Sequence, residues 1–465
     1  MHFAPGLRAR ERVVVHVDSP AARWIGALAV LSLFCWLIVL LTRDHDRDWQ
    51  AAGRLAWSLT LLSAVALIAR GIFLGRPVTA AHAWLALAAV LAGLGAHMLV
   101  FDLLGNLIIV SAGALLMWPT SAQPNSADLH RIWALVDMTK GDPLAPFAMQ
   151  DMKCYHFNAD GTAAIAYRTR MGYAVVAGDP VGDETRFAEL VADFAAMCHG
   201  RGWRLVVLGC SRQRLYLWAD AAALGQSLRA VPIGRDVVID VATFDLVGRK
   251  YRNLRQAVQR TQNFGITTEV VSEQGLDGRL RAELTEVLQA SPSGARTERG
   301  FSMCLDGALE GCYPGVLLIV ARDKHGRVQG FHRYATAGHG TEVSLDVPWR
   351  RRGAPNGIDE RLSVDMIAWA HENGAERVSL AFAAFPEIFN DRHRGQDRQP
   401  DLRGHPPRRR PDRARIPVPL PTEIPYAGRP PLCHGVADAG AAAVDRAAVA
   451  GIHAEAARCV ASRAA

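Results

Sequence analysis

Hydrophobic positions follow two regimes along the chain. Up to about residue 119 they gather into long runs: Trp24 to Leu41, Leu55 to Leu74, Trp84 to Phe101, and a shorter run from Leu103 to Trp118 set off by Asp102. A helix rises about 1.5 Å per residue and the hydrocarbon core of a bilayer is about 30 Å thick, so runs near this length predict membrane-spanning helices. The pattern predicts four spans. Arg8, Arg10, Arg12 and Arg23 precede the first, which by the positive-inside rule holds that end in the cytoplasm. An even number of spans then returns everything after Pro119 to the same side. No small-residue cleavage site follows the first run, which argues against a removable signal peptide.

From about Asp151 the pattern changes to short alternating stretches separated by amphipathic ones, as in an α/β or α+β domain. Ala163 to Arg168 and Tyr173 to Ala177 read as paired strands, and Gly178-Asp179-Pro180-Val181-Gly182 as a tight turn. A helix follows with Phe187, Leu190, Val191 and Phe194 at helical spacing, and Leu205 to Leu208 is the next strand. The phrase returns later: strands over Gly315 to Ala321, Val328 to Tyr334 and Thr341 to Val347, then a basic glycine-bearing turn from Pro348 to Gly357. The helix after it buries Leu362, Met366 and Trp369, stops at Gly374 and yields to the strand Val378 to Phe382. Two copies about 170 residues apart indicate a duplicated unit and not a solenoid, whose period is roughly 20 to 50 residues.

Composition adds little to this division. The 50% hydrophobic content of the 465 residues is concentrated in the first part, and the net charge of +7 is a modest basic balance compatible with anionic lipid or RNA. The 8 cysteines are scattered singly with no CxxC pair and no Cys/His ligand spacing. Neither a disulfide framework nor a metal site is expected, and a reducing cytoplasm fits.

Chemistry concentrates in a few patches. Leu345-Asp346-Val347-Pro348-Trp349-Arg350-Arg351-Arg352-Gly353-Ala354-Pro355-Asn356-Gly357-Ile358 resembles the acyl-donor loop of the Gcn5-related acetyltransferase (GNAT) fold, where free amides at a helix start cradle an anion. Pro355 deletes one amide and the loop is longer than the usual acetyltransferase form, so coenzyme A is not expected. Arg296-Thr297-Glu298-Arg299-Gly300-Phe301-Ser302-Met303, Asp346 at its strand end, Ala354-Pro355-Asn356-Gly357 and Ser379 to Phe385 occur in one order. Upstream stand Asp142-Pro143-Leu144-Ala145-Pro146-Phe147, Gly178-Asp179-Pro180 and Gly248-Arg249-Lys250-Tyr251-Arg252-Asn253-Leu254-Arg255-Gln256-Ala257-Val258. Over about residues 140 to 394 these patches together resemble the phosphatidylglycerol lysyl- and alanyltransferase family, whose members place membrane spans before two fused acyltransferase-like units.

The resemblance implies attack of a lipid glycerol hydroxyl on the ester joining an amino acid to tRNA, with aminoacyl-tRNA as donor substrate and no cofactor. Such a reaction needs two anionic substrates held together and the charge on the tetrahedral intermediate stabilised. Asp346 is the first candidate and Glu298 the second for orienting or deprotonating the hydroxyl or holding the aminoacyl ammonium. Arg299, Arg350 and Arg351, with Asn356 and Gly357, are the expected substrate contacts near the turn, because a guanidinium fork matches phosphate oxygens. A helix over 249–260 would present Arg249, Lys250, Arg252, Arg255 and Arg260 to an RNA acceptor arm or lipid headgroups, with Leu254 and Val258 inward. Plainer roles remain open: each arginine as a solvated surface residue, and Glu298 as a partner of Arg296 or Arg299.

After Arg394 the composition breaks. Residues 395–465 hold ten of the 24 prolines, no lysine and one aromatic residue, Tyr426. The segment reads as a disordered basic tail. Alternatively, a shifted reading frame is indicated: back-translating Gln396 to Pro407 one nucleotide later permits an apolar-periodic segment. Ile416 to Pro425 read likewise permits a Leu-Tyr-Arg motif with a nearby lysine, resembling the family's closing strand.

The expected organisation is therefore a cytoplasmic N-terminus (1–23), a membrane domain of about four helices (24–119), a first GNAT-like unit (140–245), a second, catalytic unit including the basic helix (246–394), and the tail (395–465). The expected place is the cytoplasmic membrane, multi-pass, with the catalytic part in the cytoplasm and homo-oligomerisation left open. The alternatives are a membrane-tethered acyltransferase using another activated donor, or an inactive membrane scaffold if the tail is frame-shifted.

Overall fold

The computed structural model describes residues 13–15, 20–43, 49–290, 304–384 and 432–436. Four helices form where the apolar runs predict them: α1 (Pro20–Arg43), α2 (Trp49–Phe73), α3 (Ala80–Met98) and α4 (Asp102–Leu116). Among the described residues two of them are long and apolar enough to cross a membrane, over Leu55–Phe73 and Ala80–Met98; the apolar stretches described at Trp24–Val39 and Asp102–Leu116 are shorter. The fifteen residues of α4 reach about 22 Å, short of a full hydrocarbon core. Large apolar side chains such as Trp24, Leu28, Trp84, Leu91 and Leu103 point outward, each more than half exposed, a surface that suits lipid rather than water.

Small residues let these helices approach. A Cβ on Gly93 would lie 2.9 Å from the Gly105 carbonyl oxygen, and one on Gly105 would lie 2.8 Å from that of Gly93, so α3 and α4 touch backbone to backbone. Strand β1 (Val13–Val15) pairs with β2 (Val78–Thr79), just after α2. The chain before α1 and the chain after α2 thus lie on one side of the helices. The end of α4 joins them there, because Arg76 donates to the Met117 carbonyl at 3.0 Å.

Beyond residue 119 the chain builds two mixed sheets. A helix, α5 (Leu129–Met138), leads into β3 (Cys154–Phe157), β4 (Ala163–Arg170), β5 (Tyr173–Ala177), β6 (Val181–Gly182), α6 (Phe187–Gly200), β7 (Arg204–Cys210), α7 (Ala221–Leu224), β8 (Leu228–Pro232) and β9 (Gly234–Asp240). The second unit has α8 (Arg252–Asn263), β10 (Thr267–Ser272), α9 (Gly278–Ala290), β11 (Val316–Arg322), β12 (Val328–Ala337), β13 (Glu342–Arg350), α10 (Ile358–Glu372) and β14 (Arg377–Ala384). Strand β15 (Leu432–Val436) comes from the tail.

The duplication read from the sequence is present as matched supersecondary structure. In each unit antiparallel strands precede one parallel pair bridged by a helix: β5 and β7 across α6, and β13 and β14 across α10. The helices bury the faces their periodicity predicts, Phe187, Leu190, Val191 and Phe194 on α6 and Leu362 and Met366 on α10, with Trp369 half-buried.

The sheet order departs from the chain order in a way the pattern did not show. The sheets run β3-β4-β5-β7-β15-β8 and β10-β11-β12-β13-β14-β9, with β6 alongside β4. Strand β9 precedes the expected boundary at 245 yet hydrogen-bonds into the second sheet beside β14. Strand β15 follows the second unit yet lies between β7 and β8 of the first. Each sheet is completed by a strand lying on the other unit's side of that boundary in the chain.

The two units are fastened face to face. One buried cluster contains Ile132, Leu135 and Val136 of α5, Ala164 and Ala166 of β4, and Tyr313, Val316, Ala335 and Ala337 of the second unit. Strand β4 alternates between this seam and the α6 side, where Ile165 and Tyr167 pack. The first unit also rests on the chain leaving α4, for Trp203 Nε1 donates to the Thr120 carbonyl at 2.9 Å.

Candidate functional site

The two parallel pairs differ where it matters for chemistry. In the first unit β5 and β7 stay in register over five pairs, from Tyr173 with Arg204 to Ala177 with Leu208. In the second, β13 and β14 pair only through Glu342, Val343 and Ser344 with Arg377, Val378 and Ser379, then part. Both strands slip there: Asp346 is the extra residue of a bulge against β12, and β14 slips against β9 between Ser379 and Phe382. Bulges re-aim side chains at sheet sites.

Face assignment follows from alternation. Val343 and Leu345 of β13, Val378 of β14 and Ile239 of β9 pack on the α10 side, so Ser344, Ser379 and Asp236 face the other way, toward the first unit. Ser344 reaches across that seam, its hydroxyl donating to the Pro143 carbonyl at 2.7 Å.

Three aspartates lie near enough along this seam to feel one another's charge. Asp142 lies in the turn after α5, where its Oδ1 accepts the Leu144 amide at 2.8 Å. Asp179 is in the Gly178-Asp179-Pro180 turn and accepts the Ser211 amide at 3.1 Å. Asp236 lies on β9. Asp142 Oδ2 and Asp236 Oδ1 are enclosed and accept no hydrogen bond. Burial raises all three carboxyls. Asp142 is pushed further by Asp179, Asp236 and Glu342, and Asp236, driven by burial and then by Asp179, rises to about 7. The neighbouring Glu342 is different, because Arg377 Nε sits 2.9 Å and 3.0 Å from its two oxygens and the Gly141 amide donates to it at 3.0 Å.

Asp346, the first catalytic candidate, is fully buried. Its Oδ2 lies 2.8 Å from Arg333 Nη1, its Oδ1 accepts the Leu305 amide at 3.0 Å, and Arg333 Nη2 lies 2.8 Å from Glu273. Burial lifts the Asp346 carboxyl to about 6 against the pull of Arg333. Burial alone lowers Arg333, but Asp346 and Glu273 hold it above its ordinary value. This carboxylate is sealed into an ion triad that anchors the chain at Leu305, so it has no surface open to a substrate. Glu298 and Arg299 fall outside the described residues.

The basic turn behaves differently from a simple anion cradle. Arg350, still substantially exposed, pairs with Asp359 at 3.1 Å, and Arg351 is held by Glu286 at 2.9 Å and the Val328 carbonyl at 2.8 Å. The first turn of α10 already carries Asp359 and Glu360, whose charges occupy the positive end of its dipole. Asn356 is exposed. Gly357 has φ +100°, and a Cβ there would lie 2.9 Å from the Ala257 carbonyl oxygen, so its role is to let α10 start against α8. A basic pocket of about 550 Å³ opens on the other side of this turn, lined by Arg327, Arg351, Arg352, Gln289 and Gln329.

The expected basic face of α8 is present. Arg249, Lys250, Arg252, Arg255 and Arg260 are all exposed, and Arg255 donates to the Gly248 carbonyl at 2.7 Å. Its inner face is Ala257 and Thr261, with Leu254 and Val258 only half-buried, a small-residue contact dictated by the closeness of Gly357.

Sequence reasoning placed Asp142 and Asp179 in telling patches but gave them no role, and it passed over Asp236, Arg333 and Glu273. A carboxylate in a strand that otherwise reads Val-Val-Ile was the available signal for Asp236. For the other two nothing local distinguishes a buried charge from a surface one.

Two mixed sheets, each with a helix-bridged parallel pair and a seam of polar residues where the second pair opens, define a tandem GNAT-like α/β fold. Residues 133–403 match the family described as phosphatidylglycerol lysyltransferase, C-terminal, and the chain belongs to that family. An MprF-like domain protein of Mycobacterium tuberculosis is 66% identical over 393 residues, 84% of this chain and 81% of that one. The lysylphosphatidylglycerol biosynthesis bifunctional protein LysX of Mycobacterium bovis is 29% identical over 374 residues, 79% of this chain but 30% of LysX. Among solved structures, L-PGS from Bacillus licheniformis shares the fold with a TM-score of 0.51 at 22% identity, covering 58% of this chain and 79% of that one. The C-terminal domain of a putative lysylphosphatidylglycerol synthetase from Agrobacterium fabrum gives 0.50 at 26% identity, covering 57% and 82%.

Proposed function

We propose that the protein transfers an amino acid from aminoacyl-tRNA to a hydroxyl of phosphatidylglycerol or a related membrane lipid, anchored in the cytoplasmic membrane by its N-terminal helices. The observation that carries this reading is the parting of β13 and β14 over a polar inter-unit seam lined by Ser344, Ser379 and Asp236, in a chain of this family. An ester exchange needs an alcohol and an activated carboxyl held together more than it needs a strong base, and a divergent strand pair provides the room.

Other features support the partners. The exposed arginines of α8 and the Arg327, Arg351 and Arg352 pocket suit phosphodiesters. The outward apolar surfaces of α2 and α3 suit a bilayer, and the first unit lies against the chain leaving α2 and α4, with Gly202 close to the Gly75 carbonyl and Trp203 bonded to Thr120. In this reading Asp346 is a positioning residue: through Leu305 and Arg333 it fixes the edge of the site, and the groups that touch substrate lie along the seam. On the family resemblance Glu298 remains the second catalytic candidate and Arg299 a phosphate contact.

The test is incorporation of labelled amino acid into the lipid extract of cells expressing the full chain, with charged tRNA supplied by the host. Label in the phosphatidylglycerol-derived fraction is expected, with loss in Asp346→Ala. A lipid extract without label, from cells in which the protein is folded and in the membrane, refutes the reading and favours a scaffold.

A further inference from the structure

The join between the helices and the first unit carries a surface that the transfer chemistry does not use. Four segments of the chain meet there. Gly202 packs so closely that a Cβ on it would lie 2.5 Å from the Gly75 carbonyl oxygen, and one on Gly172 would lie 3.6 Å from Arg76 Nη2 and from Pro119 Cβ. The Arg204 amide donates to the Gly172 carbonyl at 2.9 Å, and the Ala122 amide donates to Thr169 Oγ1 at 2.7 Å. With Trp203 bonded to Thr120, these contacts gather 70–79, 117–123, 167–174 and 199–206 at one end of the first sheet. The four segments hold six arginines, Arg70, Arg76, Arg168, Arg170, Arg201 and Arg204, and no aspartate or glutamate.

The hairpin at this end of the sheet has the wrong residue for its turn. Arg170 pairs with Tyr173 across Met171-Gly172, where φ is +49° at Met171 and +85° at Gly172. Two positive angles in succession make a type I′ turn, whose first position favours asparagine, aspartate or glycine. Methionine carries a backbone cost there that those residues avoid. Its side chain nevertheless stands 68% exposed, on the side where Trp118, just after α4, and Phe73, the last residue of α2, are also more than half exposed. An apolar tip flanked by arginines, at the level where apolar helices end, matches an anionic leaflet: the apolar side chains enter the acyl boundary and the guanidinium groups meet phosphate. The patch runs without a break through Phe73 into the outward apolar surface of α2, so the lipid around that helix is the occupant it meets.

We propose that this end of the first unit is a membrane-contact surface, in which Met171 enters the cytoplasmic leaflet and Arg70, Arg170 and Arg204 hold its anionic phospholipid headgroups. The proposal rests on the reading of the N-terminal helices as a membrane anchor and is independent of the transfer chemistry. It gives the first unit a task that its shut strand pair does not supply. Attachment at two points, the helix ends and the hairpin tip, removes the rotation that a linker alone would leave. The seam between the units is thereby held in one orientation over the bilayer.

The experiment follows oxidation of the native methionines by hydrogen peroxide, read by mass spectrometry, in the full chain reconstituted into lipid nanodiscs. By exposure alone Met171, at 68%, oxidises faster than Met138 at 48% and Met152 at 37%. In discs rich in phosphatidylglycerol the order is expected to invert, with Met171 at least about five-fold slower than Met138. In discs of phosphatidylcholine alone Met171 is expected to speed up about three-fold or more, because the attraction is to negative charge. Arg170→Gln combined with Arg204→Gln is expected to do the same in the anionic discs, with thermal unfolding showing that the variant is folded. Met171 oxidising fastest in anionic discs overturns the proposal. So does equal protection in neutral discs, the result of cover by protein instead of lipid, and so does an unchanged Met171 rate in the folded double variant. A chain that leaves the lipid on alkaline washing refutes the anchor and the proposal with it, whereas a chain that stays in the disc with Met171 open refutes the proposal alone.

Discussion

The first and second units share an architecture and differ in whether their central strand pair stays shut. In the first, β5 and β7 hold five in-register pairs, the Gly178 amide extends the contact to Leu208 at 2.8 Å, and Asp179 ties the next turn to Ser211. In the second, the pair opens after Ser344 and Ser379, and two bulges keep it open. A duplicated fold has thus been divided: the closed copy supplies a wall and the Asp179 carboxylate, and the open copy supplies the space. What differs is not the element order but one extra residue in β13 and a slip in β14, which no hydrophobic pattern registers.

The largest expected effect comes from the triad that braces the open copy. Arg333→Met leaves Asp346 and Glu273 buried and unpaired, and is expected to cost about 3–5 kcal/mol. Denaturant unfolding with hydrogen exchange on both sheets should show the second sheet losing protection first. Loss shared equally by both sheets would mean the seam makes one cooperative unit, and the contrast between copies would then be geometric only.

Next is the acid seam, where the sign of the effect is unusual. Asp236 is raised to about 7 from an ordinary value of 3.8. At low pH both folded and unfolded carboxyls are protonated and the group is neutral to stability. Between about 3.8 and about 7 the unfolded carboxyl is ionised while the folded one keeps its proton, so stability falls as pH rises across that window and the penalty is complete above about 7. Asp236→Asn should therefore stabilise the protein at pH 8 by on the order of 2–4 kcal/mol and leave it nearly unchanged at pH 4. A variant whose melting temperature follows the parent at both pH values would show the seam to be compensated.

A smaller cost is expected at the start of α10. Gly357→Ala must hold φ +100° and push against Ala257, for about 1–3 kcal/mol. Since only the open copy has this contact, first-unit protection should be untouched. The least effect on stability, within about 0.5 kcal/mol, is expected from Arg252→Glu with Arg255→Glu and Arg260→Glu on the exposed face of α8. RNA affinity should nevertheless drop and its salt slope flatten, measured by filter binding across a salt series. Unchanged affinity and slope would remove α8 from the RNA surface.

Much of the fold was legible because periodicity reports burial directly. The apolar runs gave four helices; among the described residues two are long and apolar enough to span, and α4, which begins at Asp102, has only fifteen residues. The α6 and α10 faces were read residue by residue, since a helix packed on a sheet must repeat its apolar positions. The site was less legible. Arg350 and Arg351 looked like free phosphate ligands, and the structure pairs them with Asp359 and Glu286; those partners are near in space and, for Glu286, 65 positions away in the chain.

By itself the sequence determined the membrane-like first part, the duplicated α/β text after it, the basic helix and the family to which these belong, because each is written in local spacing or contiguous motif. Tertiary structure alone decided that β9 and β15 cross between sheets, that Asp346 is sealed against Arg333, and that Asp142, Asp179 and Asp236 come near enough to raise one another's carboxyls. The reason is physical: hydrophobic period fixes which side of an element is buried, but the energy of a charge depends on what lies within a few ångströms of it, and those neighbours come from distant parts of the chain.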